Sequence, residues 1–443
     1  RTTGGLRTTE FQFCHKNKSN NLPRNLSRTI GGLLHIKRFT NQHTLASKKN
    51  LSPYVCRVNT RWKLHKSQEY YNFEKPNLKH KTQELMQTQR KGLNFEGQNI
   101  FVGIDVHLRS WNVSIFTEHL HHKTFNQSAS AELLSNYLVL NFPGANYNSV
   151  YEAGFSGFWI HNRLKELGIN NIVVNPVDVP TTGKEKMRKT DKIDSNKLGR
   201  SLRAQELEGI YIPCQESLED RSLIRVRSSI VKDMVRLKLR IKSMLRFYGI
   251  EFPPEFQNKG SHWSKRFMSW LKEIQLQHAS GTYALSSLIN QADQQRALLL
   301  ATTQRIKELS KSNAYAKKME LITSIPGVGI ITGMLFLTEI EDINRFENQD
   351  KFASLIGIIP NCHSSGEDDR KGEITPRGHN YLRKALIESS WIAACKDPAL
   401  SKAYSDYCKR MVPNKAIIRI ARKVANRIYS VLKNEKKYEP RIV

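Results

Sequence analysis

Asp105, Glu152, Asp191 and Asp194 are the residues of this sequence best suited to chemistry. Strands deplete aspartate, because burying its charge is costly. Yet Asp105 stands between Ile104 and Val106 in the apolar run NIFVGIDVHLRSWNVSIF. Glu152 ends a second short apolar segment, SVYEAG, where Gly154 and Gly157 let the chain bend. Asp191 and Asp194 are three apart in KTDKIDSNKL, which puts both on one face of a helix. Carboxylates meeting from two strand ends and a helix make a cage of hard oxygen ligands, suited to Mg²⁺ or Mn²⁺. Two such ions about 3.5–4 Å apart can activate an attacking oxygen and stabilise a leaving one. In a chain of formal net charge +30, the expected substrate of such a site is a phosphodiester.

The elements that must position these acids lie between residues 99 and 207. IFVGIDVH and WNVSIFTE read as a β-hairpin, and YNSVYEA and NNIVVNP as two further strands. AELLSNYLVLN, FWIHNRLKELG and DKIDSNKLGRSLRAQEL read as helices. Two antiparallel strands followed by strand–helix units predict an α/β domain with a mixed sheet, in the element order of a ribonuclease-H-like (RuvC-like) fold. Residues 208–319 read as long helices. Leu223, Ile230, Leu237 and Met244 recur every seven residues, and Met234, Ile241 and Tyr248 fill the alternate seam. That spacing predicts a coiled coil or helical hairpin, turned at GIEFPPEF, with a second helical stretch from near Trp270 to Leu309. Residues 320–443 read as a third, mainly helical domain. It opens on SIPGVGIITGMLFLTEI, a helix–turn–helix resembling a helix-hairpin-helix, in which the amides around Gly327 and Gly329 would grip a phosphate.

Lysine and arginine number 70 against 40 acids, an imbalance that points to a polyanion such as DNA or RNA. No stretch approaches the roughly 18 apolar residues of a membrane span, so no membrane role is expected. The six cysteines are scattered, with no zinc spacing, as in a cytoplasmic protein with reduced thiols. Residues 1–98 form a basic extension. The first 85 hold 17 Lys and Arg against 4 Glu, with little periodicity, and the first methionine is Met86. This segment is expected to be disordered, and the part before Met86 is read as upstream sequence translated in frame rather than as native protein.

Six segments carry a resemblance to a known family: FVGIDVH, VYEAGFSGFWIHNRLKELGINNIVVNPVDVP, KMRKTDKIDSNKL, LITSIPGVGIITG, FASLIGIIPNCHSSG and GEITPRGHNYLRKALIESSWIA. Over roughly Ile100 to Leu432 the chain resembles the insertion-sequence "one-ten" transposases, DEDD enzymes with a RuvC-like nuclease domain. The family's four carboxylates fall on Asp105, Glu152, Asp191 and Asp194. The resemblance also implies a nucleophilic serine before a glycine, which maps to Ser365 in HSSG, with Ser364 as its neighbour and alternative. It implies a covalent serine–DNA joint, a homo-oligomer (dimer or tetramer) in which one subunit's serine completes another's carboxylate site, and a guide RNA made by the element itself. A bacterial, nucleoid-associated location follows from that reading. Many relatives carry a small residue and then Lys after the first Asp-Val; here the residues are His107 and Leu108.

Several basic stretches fit a nucleic-acid partner. Lys186, Arg188 and Lys189 precede Asp191. Between Asp220 and Arg246 nine cations, among them Arg225, Lys232, Arg236 and Arg240, face two aspartates. Arg377 and Arg383 follow Ser365 closely. Each run also reads as an ordinary solvated face. Two rivals stand beside the transposase reading. One is a junction-resolving type of nuclease that uses the same acids with water as nucleophile. The other is an inactive copy that only binds nucleic acid.

Overall fold

Ile100, Val102 and Ile104 are fully buried along one face of β1 (Asn99–Val106), and the two-residue period of a strand turns Gly103 and Asp105 to the other face. The computed structural model describes residues 94–187, 190–365 and 368–440, without the side chains of Lys184, Lys186 and residues 362–371. The expectations for residues 1–93 lie outside the described residues.

β1 is the middle strand of a five-stranded sheet. β2 (Ser110–Phe116) pairs antiparallel with it, and β3 (His121–Ser128) pairs antiparallel with β2. On the other side β4 (Asn146–Glu152) runs parallel to β1, and β5 (Asn170–Val174) parallel to β4. The order is β3-β2-β1-β4-β5, a mixed sheet as expected. The edge strand β3 escapes the sequence reading because HHKTFNQS is polar and largely exposed.

The two sheet faces are covered differently. Helices α1 (Ala131–Asn141) and α2 (Trp159–Glu166) bury Leu134, Leu138, Ile160 and Leu164 against β1, with Trp111, Val113 and Ile115 of β2 in the same core. The short helix α3 (Gly183–Met187) leads into α4 (Asp191–Arg203), which lies across the opposite face. α4 comes unusually close. A β-carbon on Gly103 would lie 2.1 Å from the Ser195 carbonyl oxygen and 2.3 Å from the Gly199 amide nitrogen. Ser195 also bonds Ser114 of β2 at 2.9 Å beneath the helix.

A helical arm follows. α5 (Gln215–Phe247) packs along α7 (Ala279–Leu309), with α6 (Lys265–Glu273) at the turn. Arg227 meets Thr303, whereas Ile241 and Leu245 share a core with Leu285 and Ile289, so the two long helices are antiparallel. Met234, Leu237 and Ile241 of the expected seam are buried, Leu223, Ile230 and Met244 partly so, and Tyr248 is exposed. The second helical stretch is broken at residues 274–278 rather than continuous from Trp270.

The remainder is mainly helical: α8 (Ala316–Thr323), α9 (Ile330–Ile340), α10 (Gln349–Ile356), α11 (Asn380–Lys396), α12 (Pro398–Cys408) and α13 (Pro413–Asn434). α13 buries Ile417, Ile420, Val424, Ile428 and Leu432, the apolar stripe written into its sequence. A two-stranded hairpin, β6 (Pro360–Ser365) with β7 (Asp368–Ile374), interrupts the helices between α10 and α11. Sequence periodicity gives no sign of it, since DDRKGEI is almost wholly polar.

Candidate metal centre and its surroundings

Register brings the first two acids together. Ile104 of β1 lies opposite Tyr151 of the parallel β4, so the next residues, Asp105 and Glu152, leave the carboxyl ends of neighbouring strands side by side. The carboxyl edge of parallel strands is where open α/β sheets place their ligand sites. The other two acids come from the first turn of α4, where Thr190 caps the helix by accepting from the Ile193 amide. Carboxylates are favoured in that turn because they face the positive end of the helix dipole. The close approach at Gly103 then lowers this turn onto the strand ends.

The four acids sort into two halves, each with one cationic or potentially cationic side chain. In the first, His107 Nε2 lies 3.2 Å from Asp105 Oδ2 and 3.5 Å from Asp191 Oδ2. One donor atom from each of these three residues falls within 4.8 Å of the others, close enough to share an ion. In the second half, Lys197 Nζ lies 3.4 Å from Glu152 Oε1 and 3.5 Å from Asp194 Oδ1. The Lys197 side chain is only 8% exposed, whereas His107 is 47% exposed.

Asp105 shows what the site lacks. Burial pushes its carboxyl above the ordinary range; His107 pulls it back, and Asp191, Asp194 and Glu152 push it up again. The protein's own cations therefore leave this acid under-compensated. Carboxylate oxygens with one imidazole nitrogen, gathered at a sheet edge, fit a divalent cation.

His107 and Lys197 are the residues that sequence reasoning left aside. His107 stood out as a departure from the usual residue after Asp-Val. Lys197 sat among the cations around Asp191 and read as part of a solvated or phosphate-binding strip. Its spacing of three from Asp194 and its apolar neighbour Leu198 were the available signals that it points inward. Arg200, from the same run, pairs with Glu185 at 3.0 Å.

Ser364 and Ser365 lie in β6, paired in register with Asp369 and Asp368 across the hairpin. Among the described residues, none of the acid-bearing elements β1, β4 and α4 packs broadly against this hairpin. The polar link near it is Arg377, three residues beyond β7, whose Nη2 donates to both oxygens of Asp178 at 2.5 Å. Asp178 belongs to the short turn after β5.

The expected nucleic-acid contacts are placed unevenly. Lys186, Arg188 and Lys189 lie outside the described side chains. Arg225 binds Glu339 in α9 through two hydrogen bonds of 2.9 and 3.0 Å and stacks on Tyr381. Arg383 donates to the Ile356 and Arg377 carbonyls inside the C-terminal part. Lys232 lies over the Tyr381 ring, Arg236 pairs with Asp233 at 2.7 Å, and Arg240 is exposed. Gly327, at φ +90°, packs so tightly on α11 that a β-carbon would lie 2.3 Å from the Ser389 carbonyl oxygen, while Gly329 is the exposed N-cap of α9. Glu339 itself is 1% exposed and also accepts from Arg221 and His379. Burial pushes its carboxyl up, but hydrogen bonds from His379 and Arg225 and the charges around it prevail and hold it below the ordinary range.

A mixed α/β sheet with acids gathered at the carboxyl edge of its parallel strands, followed by a mostly helical remainder, fits a ribonuclease-H-like domain. Comparison with known proteins makes this specific. Residues 102–250 match the DEDD transposase model of the IS110 type, and residues 319–405 match the model described as transposase IS116/IS110/IS902 family. The chain belongs to this IS110/IS116 family of transposases. It is 27% identical over 241 residues to a putative transposase, y4qE, of Sinorhizobium fredii, an alignment spanning 54% of this chain and 57% of that protein. It is 25% identical over 304 residues to the transposase of insertion sequence element IS1533 of Leptospira borgpetersenii, covering 66% of this chain and 85% of the relative. The transposase of IS1111A of Coxiella burnetii is 23% identical over 294 residues, covering 64% and 77%. Among the described residues no helix is long and apolar enough to cross a membrane.

Proposed function

We propose that this protein is the transposase of an insertion sequence, cutting and rejoining DNA strands with a divalent cation, Mg²⁺ or Mn²⁺, bound at the carboxylate cluster formed by Asp105, Glu152, Asp191 and Asp194. The observation that carries the reading is the convergence of these four acids from β1, β4 and α4, with Asp105 under-compensated by the charges around it. Bound there, the cation would neutralise the phosphodiester and make its phosphorus easier to attack.

Ser365 is the proposed nucleophile, with Ser364 as the alternative. Its Oγ attacks phosphorus while the bond to the leaving strand breaks. The serine proton ends on the departing strand's hydroxyl, and a serine phosphodiester remains. That joint conserves the bond energy needed for rejoining. Among the described residues the β6–β7 hairpin does not pack broadly on the acid-bearing elements, which is compatible with a serine supplied by a second subunit of a homo-oligomer. The basic character of the arm supports a nucleic-acid partner generically; that this partner is an element-encoded guide RNA, with base pairing reading the sequence, is what the family resemblance implies.

One other reading is a nuclease that uses water with these four acids. Trapping covalent protein–DNA species on the element's own ends, with and without co-purified RNA, discriminates. An adduct mapping to Ser365 or Ser364 and lost with its alanine variant is the expected result. Cleavage that persists without any adduct would favour water, and an adduct at any other residue would overturn the serine assignment.

A further inference from the structure

We propose that Lys197 is the second cation of the carboxylate site, so that the centre binds one divalent ion, in the Asp105–His107–Asp191 corner, rather than two. This rests on the metal reading given above and deepens it.

The argument starts from what the two nitrogen groups are able to do. A neutral imidazole has a lone pair and can ligate a metal; an ammonium has three donors and none. His107 therefore leaves its corner open to an ion and can join its ligands. Lys197 can only occupy its corner. The ammonium lies almost equidistant from Glu152 and Asp194, at 3.4 and 3.5 Å, between the two carboxylates where an ion shared by them would sit. Ion–oxygen distances of about 2.0–2.1 Å for Mg²⁺ would require that ammonium to leave.

Lys197 is not placed to leave. It sits one turn beyond Asp194 in α4 with its side chain 8% exposed. Its neighbour Leu198 belongs to a buried cluster with Val150 and Val174 beneath the helix. A buried lysine is costly unless paired, and here two carboxylates pair with it. Removing either partner would leave the ammonium short of counter-charge, and filling the corner with a second dication would set positive charge against positive charge. His107 is half exposed and free of that constraint.

The expected consequence is a site with one movable and one fixed positive charge. Lys197 acts as a positioning residue: it keeps Glu152 and Asp194 together and confines ion binding to the Asp105–His107–Asp191 corner.

Counting bound ions tests this without reference to turnover. Full-length protein is titrated with Mn²⁺, and free Mn²⁺ is measured by electron paramagnetic resonance. The wild type and Lys197→Arg are expected to bind one ion per chain, and Lys197→Met two, with the exchange-broadened spectrum of a close pair. Two ions in the wild type, or a single ion in a folded Lys197→Met, would overturn the proposal. Lys197→Gln serves in the same role if Lys197→Met does not fold. A wild type that binds no Mn²⁺ would instead sink the underlying metal reading.

Discussion

Gly103 and Gly199 meet backbone to backbone: a β-carbon on Gly103 would lie 2.3 Å from the Gly199 nitrogen and 2.9 Å from its Cα. This contact sets the height of α4 above β1, and so the distance from Asp191 and Asp194 to Asp105. Gly103→Ala is expected to lift the helix, costing about 1–3 kcal/mol or somewhat more from overpacking, and to weaken Mn²⁺ binding. Gly199→Ala should cost less, because its β-carbon would meet the Phe116 ring at 2.7 Å and the Gly103 nitrogen only at 3.1 Å, against backbone at 2.1 Å for Gly103→Ala. Urea unfolding together with Mn²⁺ titration checks both; equal effects of the two variants would contradict this account.

Asp105 should make the metal-free protein's stability pH-dependent. Its carboxyl is raised above its ordinary 3.8 by burial and neighbouring acids. The ionised form is therefore disfavoured on folding. The penalty is absent at pH below that ordinary value, grows as pH rises through the window up to the raised folded value, and persists above it. Asp105→Asn removes the penalty. Without metal at pH 7 it should melt higher than the wild type, as thermal unfolding would show. Added Mn²⁺ should stabilise the wild type and not the variant. A variant that melts lower at pH 7 would show that Asp105 is adequately compensated.

Glu339 holds Arg221, Arg225 and His379 together where α5 meets α9 and the start of α11. Glu339→Ala leaves the largely buried Arg221 guanidinium without its counter-charge and is expected to cost about 3–5 kcal/mol. Glu339→Gln should cost less, because it keeps an acceptor. Equilibrium unfolding in urea measures both, and a loss below about 1 kcal/mol for the alanine variant would mean that the arginines find other partners.

Arg377 and Asp178 join the region after β7 to the turn after β5, and both are more than half exposed. Exposed ion pairs contribute little, so Arg377→Ala should change unfolding free energy by no more than about 1 kcal/mol, and by less at high salt. A larger loss that survives about 1 M salt would show that the pair organises more than its own geometry.

The acids were legible because each breaks a local rule: Asp105 in an apolar strand, Glu152 at a strand end before glycines, Asp191 and Asp194 in a helical first turn. Helix α1 was legible to the residue because its cap and apolar spacing are both local. β3, β6 and β7 were not, since their polar sequences fit loops as well as edge strands. Nor could a run of cations show which were spent internally. Arg225 and Lys197 differ from Arg240 only in what lies across from them, Glu339 in the one case and Glu152 with Asp194 in the other.

The sequence by itself determined the α/β element order, the four acids, the basic character of the chain and the family resemblance, because local periodicity and residue type encode these. Only the tertiary structure decided how the acids pair. The parallel register of β1 and β4 sets Asp105 beside Glu152. The glycine contact lowers α4 onto them and buries Lys197 on one side while leaving His107 open on the other. Those are contacts between residues 45 to 96 positions apart, fixed by packing of whole elements that no local pattern specifies.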